Sequence, residues 1–309
     1  MKTKLLRNIF LSLGVMFGLA MTAHAQNLYV SSGGDEAIFE YTPLGVQSTF
    51  ALLRAHPFGL AFDSKGNLFV AEDLQERPDG SFLDGRVLKF NPRNQVTTIA
   101  TGNAANFLFE GLATDSAGNV FVAADDTSKK SIGPTGVTTS TIFKFTPSGD
   151  RIVFGSVPGQ GLGLAFDSAG NLYAASNDFL GDSNDQTIFK FTPNGTRSVF
   201  VGPTAFAAGA YPIGLAFDSS GNLFVSTETF SGNPVDTILK FTAGVGSTFA
   251  TGLTNPRGLA FDGSGNLFVA ERRPFPDGDI LKFPAGGGMP TVFASGLRRP
   301  NFLTFGPPR

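Results

Sequence analysis

Six positions spaced 40 to 52 residues apart form one series, Gly33, Asp73, Asp125, Asn177, Glu228 and Arg272, and all but Gly33 carry side chains able to do chemistry. The middle four offer carboxylate and amide oxygens. These are the hard donors that Ca2+ or Mg2+ accepts, so one divalent cation is the cofactor this series could hold. Asp and Asn at the ends of extended segments are also common turn formers, a reading that needs no ligand. A second series on the same period reads Phe58, Glu110, Leu162, Ile213, Arg257 and Asn301. Arg257 and Glu110 are ligand-binding candidates that could equally form a salt bridge or a water-linked pair, because counting repeats sets those two on opposite sides of a closed ring. His56, followed by Pro57, is a candidate acid or base beside Glu110. Apart from His24 it is the sole histidine, cysteine is absent, and no serine stands in a strained elbow motif, so a nucleophilic triad is not indicated.

Both series are carried by a repeat. GLAFDSKGNLFVAE, from Gly59 to Glu72, returns as GLATDSAGNVFVAA from Gly111, GLAFDSAGNLYAAS from Gly163, GLAFDSSGNLFVST from Gly214 and GLAFDGSGNLFVAE from Gly258. Each copy is followed by a segment such as IFKFTP from Ile142, then by one such as STFATG from Ser247. Four short segments rich in Phe, Val, Ile and Leu, separated by Gly, Asp, Asn and Pro, read as four β-strands per repeat. A further copy is split: NLYVSS from Asn27 supplies its later part and PNFLTF from Pro300 its beginning.

The expected fold is all-β, a six-bladed β-propeller of four-stranded blades over residues 26–309, closed by pairing the C-terminal strand with the N-terminal blade. The Asp-Ser-x-Gly-Asn link between first and second strands reads as a tight turn, with Asp accepting amide hydrogen bonds and Gly taking positive φ. It lacks the distal glutamate and the length of a calcium loop. Lys89, Lys144, Lys190, Lys240 and Lys282 recur in the third strand, with Glu40 in the first repeat, and are expected to lie along apolar neighbours on the way to water. The 33 phenylalanines read as filler between stacked blades. Links between second and third strands vary in length, so binding is expected on the face that carries them, over the central channel.

The pattern G-L-A-F-D-S-x-G-N-L-F-V-A followed by I-x-K-F-T-P resembles the NHL-repeat class of six-bladed propellers. More loosely, it is similar to SMP-30/gluconolactonase and virginiamycin-lyase-like proteins. The second resemblance implies a divalent metal near the axis, held by glutamate, asparagine and aspartate, that activates water for lactone hydrolysis. Glu110-Gly111 and Pro300-Asn301 match that pattern, whereas Phe58, Leu162, Ile213 and Arg257 depart from it. With one histidine after the leader, neither a paraoxonase-like histidine pair nor a lyase-like His-Glu-His set can be assembled. The absence of tryptophan argues against WD40 repeats.

Residues 1–25 begin with Lys2, Lys4 and Arg7, continue with an apolar run from Ile9 to Met21 and end in Ala23-His24-Ala25, the features of a cleavable secretory signal with cleavage after Ala25. The expected location is secreted or periplasmic, with no membrane span. The formal net charge of −2 becomes more acidic once the leader departs, which argues against nucleic-acid partners. The expected function is an exported monomeric propeller binding a protein, glycan or small molecule through its loop-bearing face. The alternative is a metal-dependent lactone hydrolase.

Overall fold

The computed structural model describes residues 26–73, 75–76, 82–83, 85–102, 107–126, 139–177, 186–229, 236–273 and 278–307. The expected leader and the middles of most variable second-to-third-strand links lie outside them. Among the described residues the chain forms six four-stranded antiparallel sheets and one two-stranded ribbon, Gln75–Glu76 with Phe82–Leu83. Their helical content is two short 3-10 turns, Gly33–Asp35 and Pro203–Ala205, and no described helix is long and apolar enough to cross a membrane.

The sheets are the blades of a propeller. From the axis outward, blade I is Pro300–Phe305, Leu28–Ser32, Ala37–Tyr41 and Gln47–Leu52, so its innermost strand comes from the far end of the sequence. Blade II is Pro57–Phe62, Leu68–Glu72, Arg86–Phe90 and Val96–Thr101, and blade III is Phe107–Thr114, Val120–Asp126, Thr139–Phe145 and Arg151–Pro158. Blades IV, V and VI repeat the order, with innermost strands Gln160–Phe166, Ala210–Phe217 and Pro256–Phe261. The split copy therefore closes the ring as expected, with Leu28 opposite Phe305 and Val30 opposite Leu303.

Six hydrophobic clusters fill the six gaps between neighbouring blades. The aromatic residue of the motif's second strand sits at the centre of each arrangement. Phe121 meets Phe154 of its own blade and Phe166 of the next edge-on, with centroids 4.9 and 5.0 Å apart, the geometry that aromatic quadrupoles favour. Tyr29, Tyr173, Phe224 and Phe268 each make the same two contacts. In blade II, Ile99 and Thr114 stand where those rings would be. The lysine column runs over these faces. Lys144 Nζ lies 5.5 Å from the Phe121 centroid. Lys89, Lys190, Lys240 and Lys282 repeat this cation–π contact, in which the ammonium is drawn to the negative face of the ring. Glu40, the exception in that column, accepts a 2.6 Å hydrogen bond from Tyr29 Oη instead.

The Asp-Ser-x-Gly-Asn turns behave as structural caps. In the copy at Asp218, Oδ1 accepts from Ser220 N and Asn222 N, and Oδ2 accepts from Asn222 Nδ2. The copies at Asp63, Asp115, Asp167 and Asp262 keep the same bonds. Their glycines all lie at positive φ, as at Gly221 with φ 80°.

The first glycine of the motif has a different purpose. At Gly59, Gly111, Gly163, Gly214 and Gly258 an added Cβ would run into backbone of the next blade's innermost strand, and at Gly111 it would overlap the Leu162 carbonyl. Gly111→Ala is therefore expected to destabilise the fold by about 1–3 kcal/mol or more, read by urea denaturation. A neutral result would show that the inner strands have room to separate.

Candidate functional site

The inner strands open at one end of the axis into a cavity of about 440 Å³. All six blades contribute to its walls. Blade I supplies Gly33, Arg299 and Asn301, and blade II supplies His56, Phe58 and Asp73. Glu110 comes from blade III, Gln160 and Leu162 from blade IV, Tyr211 from blade V, and Arg257 and Arg272 from blade VI. Part of the second series thus meets at the axis as its position predicts, while Ile213 is fully buried.

Four lining residues belong to neither series. His56, Gln160, Tyr211 and Arg299 each stand two residues before a member of the second series. Residues two apart in extended chain share a face, so the two-residue step is the sequence signal that finds them. Backbone bonds tie this position to the first series within a blade: Asp73 N donates to the His56 carbonyl at 2.9 Å, Arg272 N to that of Asn255 at 3.1 Å and Gly33 N to that of Arg299 at 3.0 Å. Asn255 and Arg299 both sit in the left-handed region, with φ of 45° and 57°. Non-glycine residues occupy that conformation at a cost of about 1–3 kcal/mol.

The first series does not converge on one point. Its members reach sideways to the next blade's innermost strand. Asp125 Oδ1 accepts from Gly161 N at 3.4 Å, and Asn177 Nδ2 donates to the Pro212 carbonyl at 2.6 Å. Glu228 forms a buried 2.7 Å ion pair with Arg257, and Arg272 Nη2 donates to Asn301 Oδ1 at 2.9 Å. Asn301 continues the chain of contacts through Nδ2, which donates to the Pro57 carbonyl at 2.8 Å. Asp73 and Arg272 line the cavity, whereas Asp125, Asn177 and Glu228 are not among its lining residues. Arg257 and Glu110, placed across the ring from each other by repeat counting, both contribute to one cavity. The ion pair that Arg257 forms is with Glu228 of the adjacent blade, brought close by the narrow spacing of the inner strands.

The electrostatics divide the cavity. The Arg272 pKa is lowered to about 9, chiefly by burial and then by Arg257 and Arg299, against the opposing pull of Glu228 and Glu110. Burial likewise lowers the His56 pKa, assisted by Arg299 and Arg272 and opposed by Glu36. The guanidiniums of Arg257, Arg272 and Arg299 thus line the part of the wall that blades VI and I supply, with His56 and the carboxylate Asp73 on the adjoining blade II. The opposite side presents Glu110, Gln160 and Tyr211.

A divalent metal does not fit this donor set. Asn301 Oδ1 already accepts from a guanidinium, Arg257 and Arg272 border the same space, and among the described residues no group of three or more His, Cys, Asp or Glu is placed to hold a metal ion.

No protein-family model matches the sequence, and no curated protein matches it. Solved structures do resemble it. A gluconolactonase from Xanthomonas campestris aligns with TM-score 0.60 and 16% identity over 79% of this chain and 78% of that one. A luciferin-regenerating enzyme gives 0.58 and 14% over 80% of each chain. TolB from Acinetobacter baumannii gives 0.64 and 10% over 91% of this chain and 66% of that one. At these identities the likeness carries the propeller fold, not the chemistry of its site.

The lowered His56 pKa has a directional consequence. An imidazole harder to protonate when folded contributes stability that is complete above its unfolded pKa near 6.5 and is lost as pH falls through the folded value. The His56 NMR signal, assigned by its disappearance in His56→Gln, is expected to titrate below about 6.5, and Arg299→Gln is expected to move that midpoint upward. An unchanged midpoint would remove Arg299 from the cause.

Proposed function

We propose that the chain is an exported β-propeller that binds a small polar metabolite in the axial cavity. The observation that carries this reading is convergence: every blade contributes lining residues to one open space, and polar side chains there stand beside the apolar Phe58 and Leu162. Ligand sites are typically such concave, mixed surfaces. The cavity volume of about 440 Å³ suits a ligand the size of a monosaccharide. Export rests on the basic start, apolar run and small-residue cleavage site of residues 1–25. Kinship with NHL-type repeats rests on the repeat pattern itself.

The second reading is a metal-dependent lactone hydrolase. It draws support from the fold likeness to a gluconolactonase and from Glu110 and Asn301 sharing the cavity. The guanidinium on Asn301 argues against it.

Two measurements separate these readings. A thermal-shift screen against sugars, sugar acids and amino acids is expected to yield a ligand that raises Tm, with the effect lost in Gln160→Trp, which fills the cavity. A bound ligand at about 100 times its Kd stabilises by about 2.7 kcal/mol, well within detection. Calorimetric titration with Ca2+, Mg2+, Mn2+ and Zn2+ is expected to show no stoichiometric site. A tight site abolished by Glu110→Ala would make the hydrolase the better reading.

A further inference from the structure

The guanidinium-bearing wall narrows the ligand class, an inference that rests on the axial-site reading above. We propose that the cavity selects a hydroxylated oxyanion, a sugar-sized molecule bearing a carboxylate or phosphate, whose anionic group docks against Arg272 and Arg299 while its hydroxyls face Glu110, Gln160 and Tyr211.

The argument begins with what each guanidinium already contacts. Arg257 is 8% exposed and its charge is offset by Glu228 at 2.7 Å. Arg272 is placed differently: its side-chain bond among the described residues goes to the neutral amide oxygen of Asn301, and its Nε is buried with no hydrogen-bond partner there. Arg272 is thus a half-buried cation bonded to a neutral acceptor, with two more guanidiniums nearby. Its bonded partner is a neutral amide where Arg257 has a carboxylate, and Glu228 and Glu110 act on it only through the field rather than by a hydrogen bond. A ligand oxyanion would supply a charged bonding partner. Guanidinium forks match the planar, two-oxygen edge of carboxylate or phosphate.

Arg299 adds a second donor from the rim. It is exposed and lines the cavity, held there by a left-handed backbone at φ 57° that orders the link into the closing strand. Gly33 keeps the approach open, since a Cβ there would lie 2.9 Å from Asn301 Nδ2 and crowd the amide that Arg272 holds. On the far side, carboxylate, amide and phenol groups accept and donate to hydroxyls without demanding a charge.

The test is a calorimetric series on one sugar frame: glucuronate and glucose 6-phosphate as the two oxyanion sources, glucose as the neutral member and glucosamine as the cation. At least one anion is expected to bind about tenfold or more tightly than glucose or glucosamine, with affinity falling as salt rises. Carboxylate preference over phosphate, or the reverse, identifies the source. Arg272→Gln is expected to cost about tenfold, with Arg272→Lys recovering part of it. Arg299→Gln, at an exposed position, gives the same reading should Arg272→Gln disturb the fold. Equal binding of glucose or glucosamine, or anion binding indifferent to both arginine variants, overturns the charge assignment. If neither anion binds while a neutral or cationic ligand from the thermal-shift screen binds in a manner lost in Gln160→Trp, the charge assignment falls and the axial site stands. If nothing binds in either experiment, the axial-site reading falls and takes this inference with it.

Discussion

Everything in this molecule depends on how closely six inner strands approach one another around the axis. At five blade boundaries a glycine faces the backbone of the neighbouring inner strand, with no space for even a methyl group. That spacing seats the aromatic of each second strand against the neighbouring blade. It also lets a side chain at the end of one second strand reach the next blade's inner strand. The blade interfaces and the polar contacts at the axial end therefore follow from one steric condition. At the sixth boundary Phe302 takes the glycine's place, its ring 6.4 Å from that of Phe58, and Ser31 Oγ bonds both the Phe58 and Phe302 carbonyls.

This spacing also reassigns the acidic column. Four members of that column are engaged in lateral contacts that link one blade to the next. Asp125 and Asn177 hold backbone, Glu228 holds Arg257, and Arg272 holds Asn301. The ring thus converts a potential ligand set into a belt that fixes blade against blade. The cavity keeps the carboxylates Asp73 and Glu110, but three guanidiniums share its lining with them.

The fold is legible in the sequence because a repeat states each structural rule five or six times. The turn aspartates, the lysine column and the split copy all take the positions their patterns imply. The site is legible only in part. Glu110, Arg257 and Asn301 can be placed at the axis by counting, and His56 stands out by its rarity. Gln160, Tyr211 and Arg299 escape the repeat pattern because each stands at or just before the start of an inner strand, ahead of the repeated motif, where the repeats diverge, although each is a two-residue step from a recognised position. The partner of Arg257 cannot be read at all. Pairing with Glu228 depends on the distance between blades, which is set by the motif glycine and is absent from any single repeat.

The strand that closes the ring has a consequence for when the protein becomes competent. Ser31 and Phe302 are hydrogen-bonded although they stand 271 residues apart in sequence. Joining such distant points costs about 5 kcal/mol of loop entropy, whereas every other blade is built from contiguous chain. Blades II to VI can each form from local contacts as the polypeptide emerges, and blade I must wait for Pro300–Phe305. Arg299 and Asn301 arrive with that same strand. The wall of the axial cavity is therefore finished by the event that finishes the circle, and a chain caught before closure carries five blades and an incomplete cavity.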